Sequence, residues 1–240
     1  MSGLVGHLLD FVFSSACLGC QKQGALVCSA CQERLPLLTR QICPYCGRPS
    51  LTGQIHEDCR HGYFLDGLVS AFSYRSLFKE IIAQIKFEPF VFSALENLTN
   101  FALDFFKKEE SFLVFNNFLK EKPVVIPIPL HKSKFRQRGF NQARIIGERI
   151  ADYYGLPLED KLLLRKRSTS PQFELNKKER QKNIRNAFVI NADRLGNCQE
   201  NLPPVLLIDD IWTSGTTAKE AGRTLKKAGL PKVWVLTLAQ

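Results

Sequence analysis

The sequence predicts a protein of two unequal parts, a small cysteine-rich segment followed by an α/β domain with a parallel sheet. Seven of the eight cysteines lie within the first 60 residues. After residue 65, apolar strand-like stretches alternate with amphipathic helical ones, an order typical of a parallel sheet covered by helices on both faces. We therefore expect a small domain over residues 1–64 and an α/β domain over residues 65–240.

The small segment contains four ligand pairs, each with two residues between its members. They are Cys17 and Cys20, Cys28 and Cys31, Cys43 and Cys46, and His56 and Cys59. Each pair places two soft ligands on one turn, and two pairs complete a tetrahedral Zn²⁺ site. Four protein ligands leave no position for water, so both zinc ions are predicted to be structural, each supplying about 10–16 kcal/mol of apparent binding energy. In the second site, His61 could replace His56.

The composition narrows the class of protein. Eight cysteines in a chain without a recognisable signal peptide favour metal binding over disulfides. No apolar run approaches the roughly 20 residues that span a membrane. The stretch LVGHLLDFVF (4–13) is short, contains Asp10 and is expected to form an amphipathic helix. A cytoplasmic protein without a membrane span is the resulting expectation.

The elements of the larger part follow from their apolar patterns. The predicted strands are GLVSAFSY (67–74), VVIPIPL (124–130), VLLIDDI (205–211) and VWVLTLA (233–239). The predicted helices are SLFKEIIAQIKF (76–87), the Phe-rich stretch 93–120, NQARIIGERIADYYG (141–155) with Gly155 as its cap, and AKEAGRTLKKAG (218–229). Folds of this kind bind ligands at the carboxyl ends of their parallel strands.

The stretch VLLIDDIWTSGTT (205–217) places two carboxylates at such a strand end. Asp209 and Asp210 are followed by Thr213, Ser214, Gly215, Thr216 and Thr217 at the predicted start of a helix. A helix N-terminus offers free N–H groups and a positive dipole end, which suit a phosphate. Acids next to a phosphate cradle suit a sugar phosphate, whose ribose hydroxyls or accompanying Mg²⁺ they could hold.

Two other interpretations of this stretch are weaker. A Walker B strand would require a GxxxxGK[ST] loop, which the chain does not contain. A simple helix cap would explain one hydroxyl residue, but it would not explain two acids with four hydroxyls. Ligand binding is the preferred interpretation.

Basic residues are concentrated in one quarter of the chain. Residues 131–186 contain 15 Lys and Arg against 6 Asp and Glu, in a chain of net charge +10. After VVIPIPL, the side chains of Lys132, Lys134, Arg136 and Arg138 are candidates for binding a diphosphate, since an arginine grips two oxygens at once. A solvated basic loop is the plain alternative. The polar stretch 167–188 is expected to be a mobile flap or lid.

The order of these motifs resembles the ComF family. The resemblance rests on the tandem cysteine pairs, IPIPLHKSKFRQRGFNQA, SPQFEL, ERQKNIRNAF and VLLIDDIWTSGTT, and it covers nearly the whole chain. It implies a zinc-ribbon region before a Rossmann-like domain of the type I phosphoribosyltransferase kind, which binds phosphoribosyl pyrophosphate (PRPP) with Mg²⁺. In this chain Asp209 and Asp210 would hold the ribose hydroxyls, residues 213–217 the 5′-phosphate, and the basic residues after Ile128 the pyrophosphate.

The chain departs from the family pattern at two functional positions. His56 stands where the family generally has a cysteine, and Trp212 replaces a smaller residue of the phosphate loop, which would narrow its entrance. These departures bear on the ligands of the second zinc site and on access to the phosphate.

Three functions follow from the resemblance and the residues. The preferred one is a protein of natural competence, DNA uptake and transformation that binds PRPP, with a DNA-uptake helicase or other competence proteins as partners. A second is an active phosphoribosyltransferase, a glycosyltransferase acting on an unidentified nucleobase or amine; no residue stands out as its general base. A third is a non-catalytic adaptor that binds single-stranded DNA through Lys and Arg, with stacking on Phe135 or Phe140.

Overall fold

A computed structural model describes residues 16–60, 65–87, 92–167, 184–194 and 202–240. Its strands are β1 (Gln41–Ile42), β2 (Pro49–Ser50), β3 (Gly67–Phe72), β4 (Val124–Pro127), β5 (Leu163–Arg165), β6 (Phe188–Ile190), β7 (Val205–Ile211) and β8 (Val233–Ala239). Its α-helices are α1 (Ser29–Gln32), α2 (Ser76–Phe87), α3 (Phe92–Lys108), α4 (Leu113–Lys120), α5 (Lys132–Arg138), α6 (Gln142–Tyr154) and α7 (Thr216–Lys227). The expected N-terminal helix and most of the expected lid lie outside the described residues.

The centre of the fold is a four-stranded parallel sheet in the order β3-β8-β7-β4. The two central strands are apolar because both of their faces are covered, as parallel sheets require. The predicted α/β class and parallel sheet are confirmed. All four carboxyl ends lie at one edge, and in register Asp209 on β7 lies beside Thr237 on β8.

Helices cover one face of this sheet, and one helix with a pair of antiparallel strands covers the other. On the first face, α2, α3, α4 and α6 contribute to one apolar cluster with β3, β7 and β8. Aromatic rings contact one another in its Phe-rich part. The ring centroids of Phe106 and Phe112 are 4.7 Å apart, and those of the stacked pair Phe118 and Trp234 are 5.4 Å apart. On the second face, α7 packs with the antiparallel pair β5–β6.

Helix α6 begins and ends where its sequence predicts. The Asn141 carboxamide oxygen accepts a hydrogen bond from the Ala143 N–H at 3.2 Å, and the helix ends at Tyr154 before Gly155. The helical stretch predicted over 93–120 is divided into α3 and α4 by a 3₁₀ turn at Glu110–Phe112. The basic stretch after β4 contains a short helix, α5, at a position where the sequence predicts a loop or turn.

The cysteine-rich part packs against the outer edge of β3. Cys17, Leu18 and Cys31 belong to the same apolar cluster as β3 and α2. The Leu38 N–H donates to the Ala71 carbonyl at 2.8 Å, and backbone bridges join residue 37 to 72 and residue 54 to 67. The N-terminal part therefore shares its core with the sheet. Among the described helices, each is too short or too polar to cross a lipid bilayer.

Candidate metal centres and sugar-phosphate site

The first group of metal ligands is Cys17, Cys20, Cys28 and Cys31. Their sulfur atoms all lie within 4.8 Å of one another. Zn–S bonds of about 2.3 Å in a tetrahedron separate two sulfurs by roughly 3.8 Å, and the Cys20 and Cys28 sulfurs are 3.7 Å apart. The donor set and spacing therefore fit zinc.

The acidity of the thiols in this first group also favours the binding of a divalent cation. Burial opposes ionisation of Cys17, yet backbone N–H groups, among them that of Cys28 at 3.4 Å, lower the pKa of its thiol to about 6. Burial and the neighbouring sulfurs raise the pKa of Cys31 to about 12. Four adjacent thiolates are not stable alone, and a divalent cation would compensate their charge as it displaces the protons.

The second group is Cys43, Cys46, His56 and Cys59, again with all ligand atoms within 4.8 Å. The Cys46 sulfur is 3.5 Å from His56 Nδ1. A sulfur and a nitrogen that bind the same tetrahedral zinc ion are separated by about this distance. His56 Nε2 lies 3.0 Å from the Pro49 carbonyl, so a proton on Nε2 would leave Nδ1 free to bind the metal. The structure thus brings His56 into this group, while the alternative, His61, lies outside the described residues.

A neighbouring arginine stabilises the thiolate of this second group. Arg48 Nε donates to the Cys46 sulfur at 3.5 Å. Although burial opposes ionisation, this hydrogen bond lowers the pKa of Cys46 to about 6. The first group lies in the main core, whereas Cys46 is exposed and the second group has a small cluster of its own with Ile55.

The two carboxylates of β7 lie at the carboxyl edge of the sheet, as predicted, and they face different neighbours. Alternating side chains of a strand point to opposite faces. Burial and then the charge of Asp210 raise the pKa of Asp209 well above its ordinary value, and the positive charge of Arg165 opposes this shift. Asp209 therefore lies on the β5 face, near Arg165.

Asp210 lies on the other face, toward the end of β3. Burial raises the pKa of the Tyr74 hydroxyl, and the charge of Asp210 adds to the shift. The Asp210 carboxylate also accepts a hydrogen bond from the Ile211 N–H at 2.8 Å, and the Asp209 carboxylate accepts one from the Asp210 N–H at 3.0 Å. The paired acids are thus held by their own backbone, with Arg165 and Tyr74 as partners that the sequence pattern does not reveal.

The hydroxyl-rich loop leads directly into α7. Gly215 is the residue before the helix, and no side chain caps the helix N-terminus there. The first N–H groups of a helix have no acceptor within it, which is why a helix N-terminus can hold an anion. Thr216 is buried and its hydroxyl lies 3.2 Å from that of Ser214; Ser214 and Thr217 are half-buried, and Thr213 is exposed. The loop therefore has the form that an anion cradle requires.

Trp212 packs against the loop before α7. Its indole is 7% exposed and lies against Gly215, where a Cβ would come within 2.2 Å of the ring. The backbone N–H of Trp212 donates to the Ala239 carbonyl at 2.8 Å, which fixes the start of the loop to β8. The large residue therefore packs against the backbone of the loop, and a narrower entrance for the phosphate stays a prediction.

The predicted basic residues lie on and around α5, which follows the carboxyl end of β4. Lys132 and Arg136 are exposed, and Lys134 and Arg138 are half-buried. Arg138 donates to the Gln142 side chain at 3.1 Å. Because β4 pairs with β7, this helix and the two acids belong to the same edge of the sheet. Of the two predicted stacking residues, Phe135 is 48% exposed and Phe140 packs against the core.

Known proteins are similar to this chain in both its cysteine-rich part and its α/β part. Residues 8–60 match the family model described as a double zinc ribbon domain. The chain is 28% identical to competence protein ComFC of Bacillus subtilis (strain 168) over 85% of this chain and 79% of that protein. It is 26% identical to competence protein F of Haemophilus influenzae over 95% and 98% of the two chains, and 24% identical to the DNA utilization protein YhgH of Escherichia coli (strain K12) over 89% and 90%. These similarities confirm, over most of the chain, the resemblance to the ComF family that the order of the sequence motifs predicts.

Proposed function

We propose that this protein serves DNA uptake in natural competence and that its α/β part binds PRPP, or a closely related sugar phosphate, as its Mg²⁺ complex. The names of its relatives support the first half of this proposal. The observation that carries the second half is the juxtaposition of Asp209 and Asp210 with the uncapped start of α7. In this proposal residues 1–64 are the zinc-ribbon part and residues 65–240 the phosphoribosyltransferase-type part.

The phosphate end of the ligand would bind at the start of α7. The N–H groups of its first turn and the positive end of its dipole favour an anion there. The hydroxyls of Thr213, Ser214 and Thr217, which are at least partly exposed, would donate further hydrogen bonds. Gly215, with φ +67°, gives the loop the left-handed turn that leads into the first turn of α7. This arrangement supports a role in holding the 5′-phosphate.

The ribose and pyrophosphate would then extend along the edge of the sheet toward α5. Asp209 and Asp210 would accept hydrogen bonds from the ribose hydroxyls. Bound Mg²⁺ would supply positive charge to the pyrophosphate, together with the basic side chains Lys132, Lys134, Arg136 and Arg138. A cation close to Asp209 would also favour its ionised form, which burial disfavours in the free protein.

Calorimetric titration of the zinc-loaded protein with PRPP and Mg²⁺ tests this function. We expect saturable binding that weakens at least about 100-fold in the Asp209→Ala/Asp210→Ala double variant, since two charge-assisted hydrogen bonds of about 1.5–3 kcal/mol each are removed. Asp152→Ala, which removes an exposed carboxylate of α6, should bind like the wild type. Absence of binding by folded wild-type protein would refute a sugar-phosphate site.

Turnover is a separate question with its own measurement. Phosphoribosyl transfer releases pyrophosphate in stoichiometric amounts with the transferred ribosyl group. Pyrophosphate release that depends on an added nucleobase or amine, and that the double variant lacks, would establish an enzyme. Saturable PRPP binding without release in the presence of such acceptors would establish a binding protein.

A further inference from the structure

A cavity of about 310 Å³ lies between the second group of metal ligands and the flank of α7. Its volume falls near the lower end of the range of about 300–1,000 Å³ that is usual for small-molecule sites. Pro44, Ile55, Leu65 and Ile184 give it apolar walls. The cavity is thus formed jointly by the cysteine-rich part, the α/β part and the segment before β6.

The charged side chains around this cavity favour an anion. Among the described residues, Arg185, Lys219 and Arg223 contribute three cations against the single anion of Glu220. Arg223 pairs with Glu220 at 3.2 Å, and the Glu220 carboxylate also accepts a hydrogen bond from the Asn186 N–H at 2.8 Å. The charge of Glu220 is therefore compensated by Arg223, and Arg185 and Lys219 are the other cations among the described lining residues.

An exposed aromatic ring adjoins the same cavity. Tyr45 lies between the ligands Cys43 and Cys46 and is 56% exposed, although a ring of this size usually packs against protein. Its carbonyl accepts a hydrogen bond from Lys219 Nζ at 3.4 Å, which joins the cysteine-rich turn to α7. Lys219 Nζ also lies 5.5 Å from the centre of the Trp212 ring. Tyr45 and Lys219 thus line the same cavity and are joined through the Tyr45 backbone.

We propose that this cavity binds an unpaired nucleobase of a single-stranded nucleic acid, with the adjoining phosphate on Arg185 and Lys219. An exposed aromatic ring for stacking and nearby cations for the backbone are the features that bind unstacked bases, and this cavity adds apolar walls. This site is distinct from the proposed sugar-phosphate site because neither Asp209 nor Asp210 is among the described residues that line it. Thr216, in the first turn of α7, is the residue that the two sites share.

Fluorescence anisotropy with a labelled 15-residue oligothymidylate and the zinc-loaded full chain tests the stacking contact. Tyr45→Ala is expected to weaken binding about 5- to 100-fold, the range that follows from about 1–3 kcal/mol for each stacked base. Tyr45→Phe keeps the ring and should bind within about two-fold of the wild type. Tyr153→Ala is the matched control, since it removes a tyrosine that is 42% exposed on α6, and it should have no effect. Zinc content is measured for each variant, so that loss of the metal site is not mistaken for loss of stacking.

The phosphate contact is tested by its salt dependence. Arg185→Gln should reduce the slope of log affinity against log salt by about 0.7, as expected when one contact to a single strand is lost. Lys227→Gln makes the same change in net charge at an exposed position near the end of α7 and should leave the slope unchanged. If Tyr45→Ala and Arg185→Gln both bind like the wild type, the proposal is wrong.

Two further measurements are made. One distinguishes a single strand from a free nucleotide as the ligand, and the other tests whether the cavity is independent of the sugar-phosphate site. Thymidine 5′-monophosphate is used as a competitor: weak competition at millimolar concentration supports a single strand as the ligand, and competition at micromolar concentration supports a free nucleotide in the same cavity. The Asp209→Ala/Asp210→Ala variant should keep its affinity for the oligonucleotide. If that variant alone loses binding, or if neither oligonucleotide nor nucleotide binds the wild type, a base site in this cavity is refuted.

Discussion

The side chain of Gln41 hydrogen-bonds to the backbone of Ser70 in both directions. Its Nε2 donates to the Ser70 carbonyl at 3.1 Å, and its Oε1 accepts from the Ser70 N–H at 2.8 Å. Gln41 is fully buried, so its amide takes the place of a neighbouring strand at the edge of β3. The Ser70 hydroxyl in turn lies 2.6 Å from that of Thr237 in β8. A polar connection therefore runs from the cysteine-rich part to the centre of the sheet.

Replacing Gln41 should destabilise the whole protein. In Gln41→Ala, the N–H and carbonyl of Ser70 lose their partners in a buried position, at about 1–3 kcal/mol for each group. We expect the free energy of unfolding to fall by about 2–6 kcal/mol in urea denaturation. Gln23→Ala, at an exposed position, should change it by less than about 0.5 kcal/mol. An equally small change in both variants would show that water replaces the Gln41 amide.

Loss of the first metal site should affect stability more than loss of the second. Cys17 is fully buried in the core that it shares with β3, whereas Cys46 is exposed. We expect Cys17→Ser to lower Tm by about 6–12 °C, which corresponds to about 3 kcal/mol at about 2–4 °C per kcal/mol. Cys46→Ser should cause less than half of that decrease. The measurement is thermal unfolding together with zinc content, and each variant should lose about one zinc ion per chain.

Equal decreases in Tm would contradict this order. They would mean that the second site supports the sheet as strongly as the first, despite its separate small cluster. A chelator that removes both metals serves as the reference, because its effect sets the largest decrease that either variant can cause.

Sequence patterns predict the parts of this protein that depend on local spacing. The ligand pairs from Cys17 to Cys59, the strand segments of the parallel sheet and the bounds of α6 all follow from residues that are near one another in the chain. Apolar periodicity and fixed ligand spacing are local signals, so one sequence is sufficient to recognise them.

The contacts that the sequence does not predict join distant segments. Strand β5 has three residues and pairs with β6 more than twenty residues later, and this pairing brings Arg165 toward Asp209. Helix α5 has seven mostly polar residues without an apolar face, so its sequence resembles that of a basic loop. The docking of Gln41 and the exposure of Tyr45 beside α7 likewise depend on tertiary packing.

Adding a side chain at Gly215 should disrupt the loop before α7. Gly215 has φ +67°, and a Cβ there would lie 2.2 Å from the Trp212 ring. Gly215→Ala combines the strain of a left-handed alanine, about 1–2 kcal/mol, with overpacking of about 1–3 kcal/mol. We expect a loss of about 2–5 kcal/mol in unfolding free energy, and weaker PRPP binding in calorimetry.

The matched control for Gly215→Ala is Gly139→Ala. Gly139 has φ +77°, but a Cβ there meets no atom within 4 Å. The control therefore carries the strain without the clash, and we expect it to lose only about 1–2 kcal/mol. If both variants lose the same amount, the indole of Trp212 moves aside and is not a rigid neighbour of the loop.

The carboxyl of Asp209, which is half-buried at the edge of the sheet, should make stability depend on pH. Its pKa is raised in the folded protein by burial and by Asp210, whereas in the unfolded chain it is about 3.9. Between these two pKa values the folded state holds a proton that the unfolded state does not, so stability falls as pH rises through that window. Asp209→Asn keeps an oxygen that can accept from the Asp210 N–H and removes the charge.

We expect Asp209→Asn to be more stable than the wild type at neutral pH by about 0.5–2 kcal/mol, the size that is usual for a single stabilising substitution. Urea unfolding from pH 4 to pH 8 should show a difference that is small near pH 4 and grows until the folded pKa is passed. Asp152→Asn, at an exposed position on α6, should show no such trend. The same Asp209→Asn variant should bind PRPP more weakly, because a carboxylate that accepts hydrogen bonds has become an amide. A variant less stable than the wild type at pH 8 would instead show that the Asp209 charge is stabilised by Arg165, and that the site is already organised around an ion pair in the absence of ligand.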